Sequence, residues 1–174
     1  MIIKEHNINF YKLHTNSINN KLKNLPKKWQ LILLSDGSFT QNLNSITGKK
    51  IKINLIRQTL ITKHKTNRSV WIQDNSNNKL AFANSYLKYN QKQGYKSLSL
   101  RDTPIGKSVI NNEIDISKAI HTINYGYNYF TEKKIQTQRP ILSRKYTMYY
   151  KQKSLTNIKE IFLPNLNNIL NQIN

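Results

Sequence analysis

An α+β fold, one antiparallel β-sheet with helices on one face, is predicted by three observations. Apolar residues recur at helical spacing from Trp29 to Ile46, then alternate with polar ones from Ile51. The later chain is rich in Ile, Tyr, Thr and Phe in runs of strand length. Helices early and adjacent strands late favour one sheet covered by helices over alternating βα units. The 174 residues suffice for one core and are short for two, so a single domain over 1–174 is expected.

Residues 1–25 hold no sustained period and read as an extended or helical lead-in ending at Pro26. Pro26 suits a helix start. Trp29, Ile32 and Leu33 then mark one apolar face until Ser35-Asp36-Gly37 breaks it. A second helix follows, with Asp36 or Ser38 placed to cap it, Phe39, Leu43 and Ile46 on one face, and Thr47-Gly48 at its end. From Lys49 the period falls to two, because Ile51, Ile53 and Leu55 alternate with Lys50, Lys52 and Asn54. Arg68 to Asp74 and Lys79 to about Tyr89 form a hairpin around the turn Asn75-Ser76-Asn77-Asn78. Thr103-Pro104-Ile105-Gly106 reads as a loop feeding a short helix through Ile110. Strands are expected over Ile116 to Tyr129, Leu142 to Gln152 and Leu155 to Leu163. Pro164 then opens a tail helix with Leu166, Ile169, Leu170 and Ile173 at helical spacing.

Composition narrows function. There is no cysteine, so disulfides, thiolate metal sites and a cysteine nucleophile are excluded. His6, His14, His64 and His121 show no ligand spacing, and neither a Gly-rich phosphate loop nor a Gly-x-Ser-x-Gly elbow is present. No apolar run reaches membrane-spanning length and the opening residues lack a signal-type apolar stretch, so the chain is expected to work in the compartment that makes it. The formal charge of +20 suits polyanions, and Tyr125 to Tyr150 interleaves tyrosines with Lys133, Lys134, Arg139, Arg144 and Lys145. Against a nucleic-acid partner, the lysines are dispersed, and the Asn/Lys/Ile excess matches an AT-rich genome. Tyrosines in alternating strands are also ordinary half-buried sheet residues.

Only eight residues are acidic. Among them Glu160 shares a strand face with Ile158 and Phe162, where burial would demand pairing or protonation and suit acid–base work. The opposite face, Ile161 and Leu163, is an equal candidate for the core, which would leave Glu160 in water. Arg68 shares a face with Val70 and Ile72. Turned inward it could clamp a carboxylate with two parallel hydrogen bonds; turned outward it is an ordinary solvated arginine.

Several blocks in order resemble the chorismate lyase family, especially its plastid and cyanobacterial-type branch. They are Trp29 through Gly48 with its Asp36-Gly37-Ser38-Phe39-Thr40 core, Asn67-Arg68-Ser69-Val70-Trp71-Ile72 with Ala83-Asn84-Ser85, Thr103-Pro104-Ile105-Gly106, and Ile158-Lys159-Glu160-Ile161-Phe162-Leu163-Pro164. Together they span residues 29–164. The resemblance implies an antiparallel sheet with an enclosed pocket and an enzyme that removes pyruvate from chorismate to leave 4-hydroxybenzoate, a quinone precursor. It places the carboxylate-binding arginine on Arg68, the site glutamate on Glu160, and apolar pocket contacts on Ile105 and Phe39. It implies no metal or organic cofactor, a small-molecule substrate rather than nucleic acid, a monomer, and residence in the plastid, or in the cytoplasm for a microbial chain. The bacterial ubiquinone-pathway enzymes carry methionine at the position of Phe39, and Gly-Arg where this chain has Asn84-Ser85. No role is carried onto those two residues. Two other readings stand beside the lyase: a non-catalytic module binding a small carboxylate on the same fold, and an RNA-binding protein.

Overall fold

The computed structural model describes residues 11–14, 22, 25–88, 104–111, 115–127, 133 and 139–172. Its elements are β1 (Tyr11–His14), α1 (Lys27–Leu34), α2 (Phe39–Thr47), β2 (Lys52–Thr62), β3 (Lys65–Gln73), β4 (Lys79–Lys88), α3 (Ile105–Asn111), β5 (Ser117–Gly126), β6 (Ile141–Tyr150), β7 (Lys153–Phe162) and α4 (Pro164–Gln172). Seven strands form one antiparallel sheet in the order β1-β5-β6-β7-β4-β3-β2. This is the predicted α+β architecture.

The helices lie on the sheet because each has one apolar stripe to bury. α1 buries Trp29, Ile32 and Leu33, α2 buries Phe39 and Leu43, and α4 buries Leu166 and Leu170. All join Val70, Ile72, Ala83 and Phe162 of the sheet in one core. Phe162 meets two rings in T-shaped contacts, Trp29 at 5.7 Å and Phe39 at 5.4 Å between centroids. The indole Nε1 of Trp29 donates to Asn167 Oδ1 at 3.1 Å, tying α1 to α4. Phe82, Ile141 and Ile161 form a smaller cluster with Trp71 on the opposite face, so β7 buries side chains on both sides near its end.

Several sequence expectations are corrected. Within the lead-in, Tyr11–His14 takes the extended alternative, and what the sequence did not specify is that it pairs with β5 at the sheet edge. Ser38 occupies the N-cap of α2, yet neither it nor Asp36 makes a side-chain cap bond. Ser38 Oγ instead lies 3.1 Å from Thr40 Oγ1. α3 begins at Ile105, so Ile105 and Gly106 are helical, not loop, and the Pro104 carbonyl accepts from Ser108 N at 3.0 Å. β6 stops at Tyr150, because Lys151 and Gln152 make a two-residue turn with φ of 44° and 62°. Thr103, Tyr129 and Ile173 lie outside the described residues.

Candidate active site

The site is built by strand alternation on the helix-covered face. On β7, Ile158, Glu160 and Phe162 point the same way, and all three are buried, Glu160 to 3% exposure. On β3 the inward set is Thr66, Arg68, Val70 and Ile72, with Arg68 at 2% exposure. The inward alternative is therefore the one adopted by both residues.

Glu160 is held from the neighbouring strand. Arg144 of β6 stands opposite it in register, 1% exposed, and its Nε donates to Glu160 Oε2 at 2.6 Å. Tyr146, two residues along the same face, donates its hydroxyl to Glu160 Oε1 at 2.9 Å. The guanidinium also donates through Nη1 to the carbonyls of Ile32 and Leu33, the second at 3.0 Å. Those carbonyls belong to the last turn of α1, whose oxygens lack intrahelical partners and carry partial negative charge, so a cation suits them. The rings of Tyr146, Phe39 and Phe162 lie within 5.1, 5.6 and 5.9 Å of Arg144 Cζ. Burial opposes the charged form of Arg144, but Glu160, Tyr146 and Asp36 together hold the guanidinium above its ordinary value. Burial, seconded by Glu160, pushes the Tyr146 hydroxyl well above its usual range, so it remains a donor.

Lys118 of β5 supplies a further cation. Its Nζ donates to the carbonyls of Ser35 at 3.0 Å and Gly37 at 2.9 Å, in the turn between α1 and α2, and lies 4.8 Å from the Tyr146 ring. Burial, with Arg144 nearby, lowers its pKa to about 8 against the opposing pull of Glu160 and Asp36.

Arg68, Glu160, Phe39 and Ile105 all line one cavity of about 320 Å³, together with Lys118 and Tyr146. Most of the remaining wall is apolar, contributed by Val70, Ile72, Val109, Met148 and Ile158. α3 closes one side by a close approach. A Cβ on Gly106 would stand 2.6 Å from Ser38 Oγ and 2.8 Å from Ser38 Cβ, so only glycine lets α3 rest against the start of α2. Ser85 also reaches the cavity wall, opposite Arg68 in register, and its hydroxyl donates to the Arg68 carbonyl at 3.4 Å. Asn84 turns away, donating to Asn67 Oδ1 at 2.8 Å and Ser69 Oγ at 2.9 Å.

Arg144, Tyr146 and Lys118 were not among the sequence-derived site residues. The sequence sets Arg144 among tyrosines that either stack bases over a basic face or sit half-buried in the sheet, and the burial of both Arg144 and Tyr146 removes them from any surface. The alternation of Leu142, Arg144, Tyr146 and Met148, applied as it was to Glu160, was the signal that could have found them. Lys118 carries no such mark.

An arginine and a buried, paired carboxylate in one largely apolar chamber, beneath helices on an antiparallel sheet, define a chorismate lyase-like α+β frame. The chain belongs to the Rv2949c-like chorismate pyruvate-lyase family, whose model matches residues 33–170. It is 43% identical over 165 residues to the ycf21 protein of Antithamnion sp., covering 91% of each chain, and 35% identical over 150 residues to that of Porphyra purpurea, covering 83% and 85%. The ycf21 name carries no activity. Among solved structures, the effector domain of PhnF from Mycobacterium smegmatis matches 76% of this chain and 92% of its own with a TM-score of 0.54 at 10% identity, a likeness of fold alone.

Proposed function

We propose that this chain is a chorismate pyruvate-lyase that converts chorismate to 4-hydroxybenzoate and pyruvate, acting as a monomer in the plastid of organisms like its red-algal ycf21 relatives. The observation that carries this reading is the meeting of Arg68 and Glu160, ninety-two positions apart in the sequence, on the wall of one small, mostly apolar cavity.

In the reaction the ring's ether C–O bond breaks, the ring gives up the hydrogen on its hydroxyl-bearing carbon, and that proton's equivalent ends on the departing enolpyruvyl group as pyruvate. Aromatisation supplies the driving force, so the protein needs chiefly to hold and polarise the substrate. Arg68 binds the ring carboxylate through two parallel N–H donors, a geometry a lysine does not match. Glu160, fixed by Arg144 and Tyr146, keeps lone pairs to accept the hydrogen bond of the ring hydroxyl. Phe39 and Ile105 pack the ring and exclude water.

The engagement of both Glu160 oxygens favours one second reading, a chamber that binds a small carboxylate without chemistry. Incubation with chorismate separates the two. Release of equimolar 4-hydroxybenzoate and pyruvate supports the lyase. Saturable binding by calorimetry with no product selects the binding module.

A further inference from the structure

We propose that the face of the sheet turned away from the helices binds single-stranded RNA, with two pairs of lysines, Lys145 with Lys159 and Lys65 with Lys88, holding phosphates on either side of Tyr86, on which a base stacks. This surface is separate from the chamber, whose walls lie on the helix-covered side.

The alternation that turns Arg144, Tyr146 and Glu160 inward turns Lys145, Thr147, Asn157 and Lys159 outward. On β3 and β4 the same rule turns out Lys65, Asn67, Tyr86 and Lys88. Lysines dispersed along the chain are thereby gathered by register. Lys145 stands directly opposite Lys159 on β6 and β7, and Lys65 directly opposite Lys88 on β3 and β4. All four are exposed, and among the described residues none has an ion pair; Lys88 alone gives an N–H to Ser154 Oγ, at 3.4 Å. Like charges opposite one another on adjacent strands repel, so each pair gains from an anion set between its ammonium groups. Tyr86, 49% exposed, occupies the row between the two pairs, with Asn157 beside it on β7 and Asn67 beside it on β3. Cations that track phosphates around an exposed ring that any base can stack on are the combination a single strand requires.

The neighbours of Tyr86 favour RNA over DNA. Thr147 donates to Asn157 Oδ1 and Asn84 Nδ2 to Asn67 Oδ1, so both flanking amides are pinned with N–H donors left for a 2′-hydroxyl, the group that tells RNA from DNA. An anionic membrane would meet the charge, but Leu31 and Leu34, exposed aliphatics that a bilayer would take up, stand on α1 across the sheet. A second copy of the chain would set lysine against lysine.

Fluorescence anisotropy with a labelled short oligouridylate and its deoxyuridine counterpart tests the proposal on the full chain. Four phosphate contacts predict that RNA affinity falls by about fiftyfold as salt rises from about 0.05 to 0.2 M. Lys145→Gln combined with Lys159→Gln should weaken RNA binding at least about tenfold and about halve the salt slope. Tyr86→Ala should cost about tenfold with the slope unchanged, and Tyr86→Phe should keep binding within about twofold. Lys27→Gln combined with Lys50→Gln, two exposed lysines away from this face, should change affinity by no more than about twofold. An equal loss in that control would mean diffuse attraction to a chain of charge +20, and would overturn the proposal. So would a deoxy oligomer bound as tightly as the RNA, or capture of phosphatidylglycerol vesicles through Lys145 and Lys159 by a chain that ignores the RNA. Should the Lys145 and Lys159 variant not fold, Lys65→Gln combined with Lys88→Gln makes the same comparison on the other pair.

Discussion

Glu160 sits inside the sheet with Arg144 on Oε2 and Tyr146 on Oε1, and Arg144 in turn binds the end of α1. A buried pair adds little net stability over an apolar one, yet removing one member leaves the other uncompensated. Arg144→Met should therefore lower stability by about 3–5 kcal/mol in urea unfolding. A loss under about 1 kcal/mol would mean that Glu160 finds another partner or water. Glu160→Gln keeps the shape but leaves the Arg144 guanidinium without its counter-charge, so it should lose stability as Arg144→Met does, and the protein that remains folded should show kcat lowered by at least about a hundredfold, read by pyruvate release. For Lys118 the sign follows from its lowered pKa of about 8 against 10.5 when unfolded. Between these values the unfolded chain holds more protons on that residue, so folding gains stability as pH rises through the window. Stability measured from pH 8 to 10.5 should rise less steeply in Lys118→Gln than in wild type, and parallel curves would contradict the lowered value.

At the scale of elements, the Pro104-Ile105-Gly106 segment explains itself by contact. Gly106→Ala would press its methyl into Ser38 and lift α3 from α2, at a cost of about 1–3 kcal/mol and a raised KM for chorismate. Unchanged melting temperature and KM would show that the cavity wall yields freely. Most elements were legible because their periods were long and their punctuation conventional, as at Pro26, at Gly48 with φ of 63°, and at the Asn75–Asn78 turn with Asn77 at 65°. The β6–β7 turn was not, since Lys151 and Gln152 adopt positive φ without the Asn or Gly that usually announces it. Four strand residues could not declare β1. For the site, alternation named the faces of Arg68 and Glu160 but could not say which face the helices would cover. That depends on contacts between distant segments, such as Arg144 with the carbonyls of α1.

Across the whole molecule, the proposed chemistry falls on the face of the sheet where, among the described residues, Arg68 of β3, Lys118 of β5 and Arg144 of β6 share the setting of Glu160 on β7. The formal charge of +20 extends that field outward and should speed capture of a dianion. Screening predicts that kcat/KM for chorismate falls as salt rises from about 0.01 to 0.15 M, with kcat little changed. A salt-independent kcat/KM would assign the lysines no part in substrate capture. The most direct test of the account is to incubate the purified, folded chain with chorismate and measure pyruvate and 4-hydroxybenzoate together. The account predicts equal amounts of both from wild type and neither, beyond the uncatalysed background, from Arg68→Ala. Wild type that yields neither product, or Arg68→Ala that yields both at the wild-type rate, would contradict it.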